Sequence, residues 1–278
     1  MFKNRNLVIA TKHGKELVIA PILEKELGVK CFLPLNFDSD ELGTFTGEIE
    51  REDDPITTAR KKCLKAMELT NSDLAVASEG SFGPHPTLFF INADDEFLLF
   101  IDKKNGLEII ARELNTETNF KGALINSEKQ LLEFANVVSF PSHGIIIRDA
   151  QEGFKEIEKG ITDWELLKNT FDYFLKKHNQ AYLETDMRAL YNPSRMKVIE
   201  IAATKLATKI NSLCPICKTP GFSISDLKKG LPCSSCNFPT KSTLYAIYTC
   251  KNCSYSVQEK FPNKKLTEDP MFCDVCNP

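Results

Sequence analysis

The chain has 278 residues, and 42% of them are hydrophobic, which is enough to bury one large core and a smaller one. Its 35 basic and 38 acidic residues nearly balance. This composition excludes a disordered chain, and it excludes a global field that would draw the protein onto nucleic acid or an anionic membrane. The first apolar run, residues 6–10, is too short for a signal peptide or a spanning helix. We therefore expect a cytoplasmic protein that does not contact a membrane.

The start of the chain has the pattern of a strand, a polar loop and a helix. Residues 6–10 are apolar, residues 11–15 read Thr-Lys-His-Gly-Lys, and residues 16–27 have helical periodicity. Pro21 is expected to kink that helix or divide it. A loop of this composition at a helix start offers backbone N–H groups and a cation to a phosphate, although an ordinary helix start has the same form.

Acidic residues crowd the segment after a second predicted strand at residues 31–35. Seven of them fall between Asp38 and Asp53, and they would be costly to bury without cations, although such a run is usually a solvated loop. An amphipathic helix is then predicted over residues 55–71. The residues on its buried face are Ala59, Cys63, Ala66 and Met67.

A carboxylate stands where the next apolar run ends. Residues 74–77 predict a short buried strand, and the glycines and prolines of residues 79–86 predict that a loop follows it. Carboxylates are rarely kept beside apolar strands without a partner, and ligands of open α/β sheets lie beyond the carboxyl ends of strands. Glu79 is therefore a candidate site residue, and the alternative is that it only braces the loop.

The middle of the chain carries further strand and helix signals. Asn105-Gly106 indicates a hairpin turn between two of the strands. The predicted strands are residues 87–92, 96–102, 107–113 and 145–148, and the predicted helices are residues 127–137 and 164–177.

Two arginines lie near the start of a long helix that is predicted before residue 213. Arg188 and Arg195, together with the helix dipole, would favour an anion at this position. The alternative is that one or both arginines form salt bridges to the acidic segment. The two interpretations are compatible, because an empty anion site is often closed by a carboxylate.

Three of the histidines, His13, His85 and His143, lie in loops that contain glycine or proline. If they converged with Glu79, they would form a transition-metal site. Turn histidines that only hydrogen-bond their own loops are the commoner alternative.

Eight of the ten cysteines form four CxxC pairs in the last third of the chain. The spacing is that of zinc ribbons, in which two pairs close a tetrahedral shell of four cysteines around one ion. Sequential pairing predicts one shell from the first two pairs and a second shell from the last two, and interleaved pairing is the alternative. The predicted ligands of two structural zinc ions are Cys214, Cys217, Cys233, Cys236, Cys250, Cys253, Cys273 and Cys276.

The cysteine-rich segment has too little apolar mass to fold alone, and each structural zinc would contribute on the order of 10 kcal/mol or more. Complete four-cysteine shells leave no open position for catalysis. The lysines and aromatic residues of this segment would suit nucleic-acid binding, although the same residues serve as solvated surface and small-domain core. A protein-contact or substrate-covering role is the preferred alternative.

The order of these parts resembles that of the inosine/xanthosine triphosphatase-like superfamily, the house-cleaning nucleotide pyrophosphatases, over residues 6–212. His13 replaces an asparagine of the family pattern, and Lys15 falls one position early. The whole sequence also resembles an uncharacterised bacterial family with C-terminal zinc ribbons. The likeness to the pyrophosphatases depends on motif shape at residues 11–15, 38–50, 59–63, 79–81 and 185–195.

The resemblance implies an α/β domain with a mixed central sheet and flanking helices over residues 1–212, followed by a tandem zinc-ribbon module over residues 213–278. In the α/β domain, Glu79 and Asp38, with Asp40 as the second choice, would hold Mg²⁺ or Mn²⁺. An attacking water would be oriented or deprotonated by Glu48 or Glu50.

The resemblance also assigns residues to the substrate phosphates. Arg188 or Arg195 would counter the charge that develops in the transition state. The residues that would cradle the phosphates are Thr11, Lys12, His13 and Lys15.

The expected function is therefore that of a metal-dependent hydrolase that acts on a nucleotide or a related phosphorylated substrate. The competing hypothesis is a protein that binds a nucleotide or nucleic acid without catalysis.

Overall fold

The structure is a computed structural model that describes residues 1–35, 37 and 53–278. The chain forms two compact units, residues 1–207 and residues 208–278. No helix in the described ranges is long and apolar enough to cross a bilayer.

The first unit contains a mixed five-stranded sheet, as the sequence predicts. Its strand order is β2-β1-β3-β4-β5, in which β1 lies parallel to β2 and β3, and the remaining pairs are antiparallel. The strands are β1 (Asn6–Ile9), β2 (Lys30–Phe32), β3 (Leu74–Pro84), β4 (Asn92–Asp102) and β5 (Leu107–Asn115).

Two helices accompany this sheet, α1 (Glu16–Leu27) and α2 (Pro55–Thr70). The α1 helix runs through Pro21 as one element and ends at Gly28, whose φ of 67° is a left-handed conformation that glycine adopts without strain. The α2 helix begins at the cap Asp54, which accepts hydrogen bonds from two backbone N–H groups. Its predicted apolar face is confirmed and packs on the sheet against Ala75, Ala77 and Leu99.

A second, antiparallel sheet of four strands completes the first unit, with the order β6-β9-β7-β8. It consists of β6 (Gly122–Ile125), β7 (Ile145–Arg148), β8 (Ile157–Ile161) and β9 (Ala181–Thr185). The helices α3 (Glu128–Val137) and α4 (Trp164–His178) bury side chains such as Leu131 and Phe171 in one core with this sheet. Both helices and the buried strand β7 confirm the sequence predictions.

The last helix, α5 (Pro193–Asn211), follows β9 and a short 3-10 turn. Most of the apolar residues of α5 are buried, but Ile201 is exposed. The second unit is built on a three-stranded antiparallel sheet of β10 (Ile224–Lys229), β11 (Thr243–Thr249) and β12 (Ser256–Lys260).

Two predictions for the centre of the first sheet are wrong. The predicted loop over residues 79–86 is mostly strand, because β3 pairs with β4 along its whole length from Leu74 to Pro84. The predicted strand over residues 87–92 is instead a turn up to residue 91. Glycine and proline predict a loop from local propensity, whereas the partner strand supplies hydrogen bonds that hold these residues extended. The predicted hairpin at Asn105-Gly106 is confirmed, since it joins β4 to β5.

Gly80 occupies a position in β3 that admits no side chain. A Cβ atom there would lie 2.2 Å from Glu96 Oε1 and 2.8 Å from Arg195 Nη2. In contrast, a Cβ atom on Gly83 of the same strand would meet nothing within 4 Å. The glycine at position 80 is therefore needed for a close approach of side chains to the backbone.

We expect Gly80→Ala to lower the free energy of unfolding by about 1–3 kcal/mol, because the new methyl group must displace the side chains of Glu96 and Arg195. Gly83→Ala is the matched control and should change stability by less than about 0.5 kcal/mol. Urea unfolding of both variants measures the difference. Equal effects of the two substitutions would contradict the close approach at Gly80.

Candidate functional site

The candidate site lies at the edge of β3, where its neighbour β1 ends. Ile9 is the last residue of β1 in register with β3, opposite Val76, and β3 continues to Pro84. Beyond the end of β1, the Lys15 ammonium donates a hydrogen bond to the Ser78 carbonyl oxygen at 3.2 Å. Lys15 thus donates a hydrogen bond to β3 where β1 no longer can, and it brings the loop of residues 11–15 to this edge.

Glu79 faces α2 and forms an ion pair with Lys62 of that helix. Both side chains are buried. The alternation of side chains along a strand places Glu79 on the same face as Ala75 and Ala77. A buried carboxylate of this kind needs a cation or donors beside it, and Lys62 supplies the cation.

Arg195 lies on the opposite face of β3, where it extends from the first turn of α5. Its Nε donates to Glu96 Oε1 at 2.6 Å, and its Nη1 donates to the Met187 carbonyl oxygen at 2.5 Å. The guanidinium carbon lies 5.0 Å from the centre of the Phe82 ring. The Arg195 side chain is completely buried, so this ion pair is an interior contact and not a surface one.

The pKa values of two neighbouring groups reflect this burial. Burial lowers the pKa of Lys15 to about 8, and the nearby charge of Arg195 is the next cause. Burial raises the pKa of Asp94 to about 8, and the carboxylate of Glu96 is the next cause. Asp94 is therefore mostly a neutral carboxylic acid at pH 7, whereas Lys15 is still mostly protonated.

The buried charged groups around this part of β3 carry a small net positive charge at neutral pH. We call the set the buried charge cluster and define it as Lys15, Lys62, Glu79, Asp94, Glu96 and Arg195. With Asp94 neutral, this part of β3 has three cations and two carboxylates around it, with the Lys62–Glu79 pair on one face and the Arg195–Glu96 pair on the other. Such a cluster suits an anionic ligand.

The predicted phosphate-binding residues fall in two places. Lys15 belongs to the buried charge cluster, whereas Lys12 is exposed and Thr11 and His13 are half-buried in the loop before α1. A Cβ atom on Gly14 of this loop would lie 3.3 Å from the Leu190 side chain. Leu190 of the late segment therefore packs against the first loop.

The two predicted arginines differ in environment. Arg195 is buried against Glu96, whereas Arg188 forms an ion pair with Asp186 at 2.6 Å and lies 4.5 Å from the Tyr191 ring centre. The carboxylates that they pair with lie on β4 and just after β9. Asp38 and Glu48, and their alternatives Asp40 and Glu50, lie outside the described residues.

The three loop histidines do not converge. His85 accepts hydrogen bonds at Nδ1 from the backbone N–H groups of Thr87 and Leu88. His143 lies between Ser142 and Ser194, and burial lowers its pKa. Within the described ranges, the groups of His, Cys, Asp and Glu that could hold a metal consist of cysteines alone.

Sequence reasoning missed Lys62, Asp94 and Glu96. Residues 94 and 95 read as a break between two strands, because acidic residues are rare inside them. In the structure they belong to β4, and the alternate residues Asp94 and Glu96 face the interior. The sequence contained one signal of this packing, which is the glycine at position 80. Glycine in a strand often marks a place where another group approaches the backbone closely.

The second unit brings the eight predicted cysteine ligands into two groups of four. The Sγ atoms of each group all lie within 4.8 Å of one another. One group is Cys214, Cys217, Cys250 and Cys253, and the other is Cys233, Cys236, Cys273 and Cys276. The prediction of sequential pairing is therefore wrong, and the pairing is interleaved.

The sheet of the second unit explains this pairing. Each of the strands β10, β11 and β12 connects one CxxC pair to the next, and successive strands run in opposite directions. The first and third pairs thus come to one end of the sheet, and the second and fourth pairs come to the other end. Spacing along the chain contains no information about this topology.

The geometry of both groups fits a tetrahedral zinc ion. Contacts between Sγ atoms of different CxxC pairs are 3.7 Å and 3.5 Å in the first group, and 3.8 Å and 3.6 Å in the second. A tetrahedron with Zn–S bonds of about 2.3 Å has edges of about 3.8 Å. Both groups could therefore hold structural zinc.

The architecture defines a mixed α/β protein with two C-terminal clusters of four cysteines each. The chain belongs to a family described as a domain of unknown function, DUF6671, whose model matches residues 62–278. No curated protein matches the sequence. The likeness to an uncharacterised family with C-terminal cysteine clusters is thus confirmed, and the likeness to nucleotide pyrophosphatases stays a prediction.

We expect native mass spectrometry of the full chain to find two zinc ions. Serine at positions 214, 217, 250 and 253 should leave one zinc, because the other group keeps all four thiolates. Serine at positions 214, 217, 233 and 236 should leave none, because it removes half of each group. Sequential pairing would give the reverse result for the two variants.

Asp94 makes stability depend on pH. Its pKa is about 8 in the folded protein and 3.8 without the fold, so the folded state holds a proton between these values that the unfolded state lacks. Stability should then fall as pH rises from 4 to 8, by at most about 1.4 kcal/mol per pH unit. Asp94→Asn should flatten this dependence in urea unfolding, whereas Asp95→Asn on the opposite face should not. An unchanged slope in Asp94→Asn would contradict the raised pKa.

Proposed function

We propose that the first unit is a metal-dependent hydrolase that acts on a nucleotide or a related phosphorylated substrate. The observation that carries this proposal is the buried charge cluster at the carboxyl end of β1, where the parallel neighbour β3 continues alone. Ligands of α/β sheets bind at this end of the strands. The cluster also offers an ammonium group from the loop that begins a helix.

The phosphate would bind between Lys15 and the loop before α1. Lys15 is buried and keeps its proton at neutral pH, so it is a cation that has lost most of its water. A phosphate oxygen replaces that water at lower cost than a neutral ligand would. Arg195 adds a second positive charge to the same neighbourhood.

Glu79 is the carboxylate of this site that would hold the metal, together with Asp38 of the undescribed acidic segment. Glu79 fits this role because its buried carboxyl group lies beside a cation that a metal ion could replace, and carboxylate oxygens are the ligands that Mg²⁺ prefers. A bound Mg²⁺ or Mn²⁺ would polarise the phosphoryl group and supply a nucleophilic water. Lys62 would then be available to a substrate phosphate.

The cysteine-rich unit would have a structural role. It contains nine lysines and five acidic residues over positions 208–278. Each zinc ion with four thiolates carries a net charge of about −2, so two of them offset this excess. Nucleic-acid binding would therefore depend on a local patch. Lys228, Tyr245 and Lys260 are in register in a single row across the three strands, and this row would be such a patch.

A panel of nucleoside triphosphates with Mg²⁺ or Mn²⁺ tests the proposed reaction, with release of phosphate or pyrophosphate as the readout. We expect turnover by the wild type and a loss of about 100-fold or more in Glu79→Gln, because the amide is a poor metal ligand. Glu108→Gln is the matched control, since Glu108 pairs with Arg60 away from the cluster.

Two outcomes would contradict the hydrolase. One is the absence of turnover by the wild type with every nucleotide and both metals. The other is unchanged turnover in Glu79→Gln. Nucleotide binding without turnover would favour the competing hypothesis of a non-catalytic binding protein.

A further inference from the structure

The second sheet of the first unit has a groove beside its edge strand β8. In the described part of the chain, β8 is the last strand of the order β6-β9-β7-β8, so only one of its two sides is paired. The groove lies between this strand and α4, and its volume is about 600 Å³. Ligand pockets commonly have volumes of about 300–1,000 Å³. The groove therefore has room for a ligand.

The α4 side of the groove is an aromatic wall that is held in place. Phe174 is 3% exposed, and Tyr173 beside it is 51% exposed. The two rings meet edge to face with their centroids 5.6 Å apart. Lys177 Nζ donates a hydrogen bond to Tyr173 Oη at 2.9 Å and forms an ion pair with Glu156, the residue before β8. Tyr173 thus offers a ligand an apolar surface that is already ordered.

The backbone of β8 offers hydrogen bonds on its unpaired side. The Asp149 N–H donates to the Glu156 carbonyl oxygen at 3.3 Å, and Ile147 lies in register with Glu158. Ile157 lies between these two pairs, so its N–H and C=O point away from β7 in the antiparallel ladder. An extended backbone is the ligand that matches a donor and an acceptor arranged in this way.

The charges along β8 select the side chains of such a ligand. Glu156 and Glu158 are two residues apart, so both face α4, where Glu156 is paired with Lys177 and His178. Glu158 is exposed and has no ion-pair partner within the described ranges. A side chain directly opposite Glu158 on an added strand would contact this carboxylate, and opposite charges in such pairs are stabilising. The groove therefore favours a cation at that position.

We propose that this groove binds an extended segment of a partner protein, which adds to β8 as an antiparallel strand and places a lysine or arginine opposite Glu158. Lys155 is exposed and also lines the groove, so it would face an acidic residue three positions further along the segment. This inference is independent of the proposed hydrolase, because the groove and the buried charge cluster have no residue in common.

A second copy of the chain fits this edge poorly. Antiparallel pairing of two β8 strands about Ile157 would place Glu158 of one chain opposite Glu156 of the other. Pairing of Ile157 with Lys159 would place the two Glu158 side chains opposite each other. Like charges in directly opposite positions are destabilising, and charges on edge strands prevent self-association in this way. The edge therefore favours a basic segment over its own copy.

Two capped, fluorescently labelled peptides of the same composition test the proposal by fluorescence anisotropy with the full-length protein. The matched peptide is Thr-Val-Lys-Thr-Val-Glu-Val-Thr, which places its lysine opposite Glu158, its first threonine after the lysine opposite Ile157, and its glutamate opposite Lys155. The exchanged peptide has the lysine and the glutamate in each other's place. We expect the matched peptide to bind about tenfold more tightly, because the exchange turns two attractive pairs into two repulsive ones.

The backbone contact is tested separately from the charges. N-methylation of the threonine opposite Ile157 should weaken the matched peptide by about fivefold, whereas N-methylation of the next valine, whose N–H points away from β8, should not. Ile157→Pro should weaken it to a similar extent, because it removes the outward N–H of the protein. The fold should persist, since this N–H does not bond to β7 and proline is tolerated at such edge positions. A melting temperature close to that of the wild type checks this.

A charge exchange on the protein supplies a second variant that leaves the backbone and the net charge unchanged. Lys155→Glu combined with Glu158→Lys alters two exposed side chains only. This double variant should prefer the exchanged peptide over the matched one, by about the factor that the wild type shows in the opposite direction.

Three results would overturn the proposal. The first is that the wild type binds neither peptide or binds both with equal affinity. The second is an unchanged preference in the double variant. The third is a dimer of the full chain in sedimentation that Ile157→Pro abolishes, because the occupant of the edge would then be a second copy.

Discussion

The ion pair between Arg195 and Glu96 is the contact on which the first unit depends. It joins the start of α5 to the centre of β4, and both side chains are completely buried. Loss of either partner would leave an uncompensated buried charge, which costs about 3–5 kcal/mol. The pair also constrains its surroundings. It requires glycine at position 80, and the charge of Arg195 adds to burial, the larger cause, in lowering the pKa of Lys15. The candidate site is thus built around a structural ion pair.

The sequence predicted the elements that have local causes. The α1 and α3 helices begin within a residue of their predicted starts, and Asn105-Gly106 forms the predicted turn, because caps, periodicity and turn residues act over a few positions. The length of β3 could not be predicted in this way. Its last residues are extended because β4 pairs with them, and a partner strand is a long-range contact.

The site and the cysteine clusters also have parts that local sequence predicts and parts that depend on long-range contacts. Glu79 and Lys15 were predicted from residue type and position, and the structure places both at the edge of β3. Glu96 was missed because its partner, Arg195, is 99 residues away in the chain. Similarly, CxxC spacing predicted eight ligands, but their pairing follows from the direction of three strands.

The central claim is that the buried charge cluster binds an anion through Lys15. Calorimetric titration with pyrophosphate, of the wild type and of Lys15→Met, tests this claim most directly. Methionine keeps the apolar stem of the buried side chain and removes its charge, so the fold should persist while affinity falls by about tenfold or more. Lys25→Met, at an exposed position near the end of α1, should bind like the wild type. Equal affinities of Lys15→Met and Lys25→Met, or no binding by the wild type, would contradict the account.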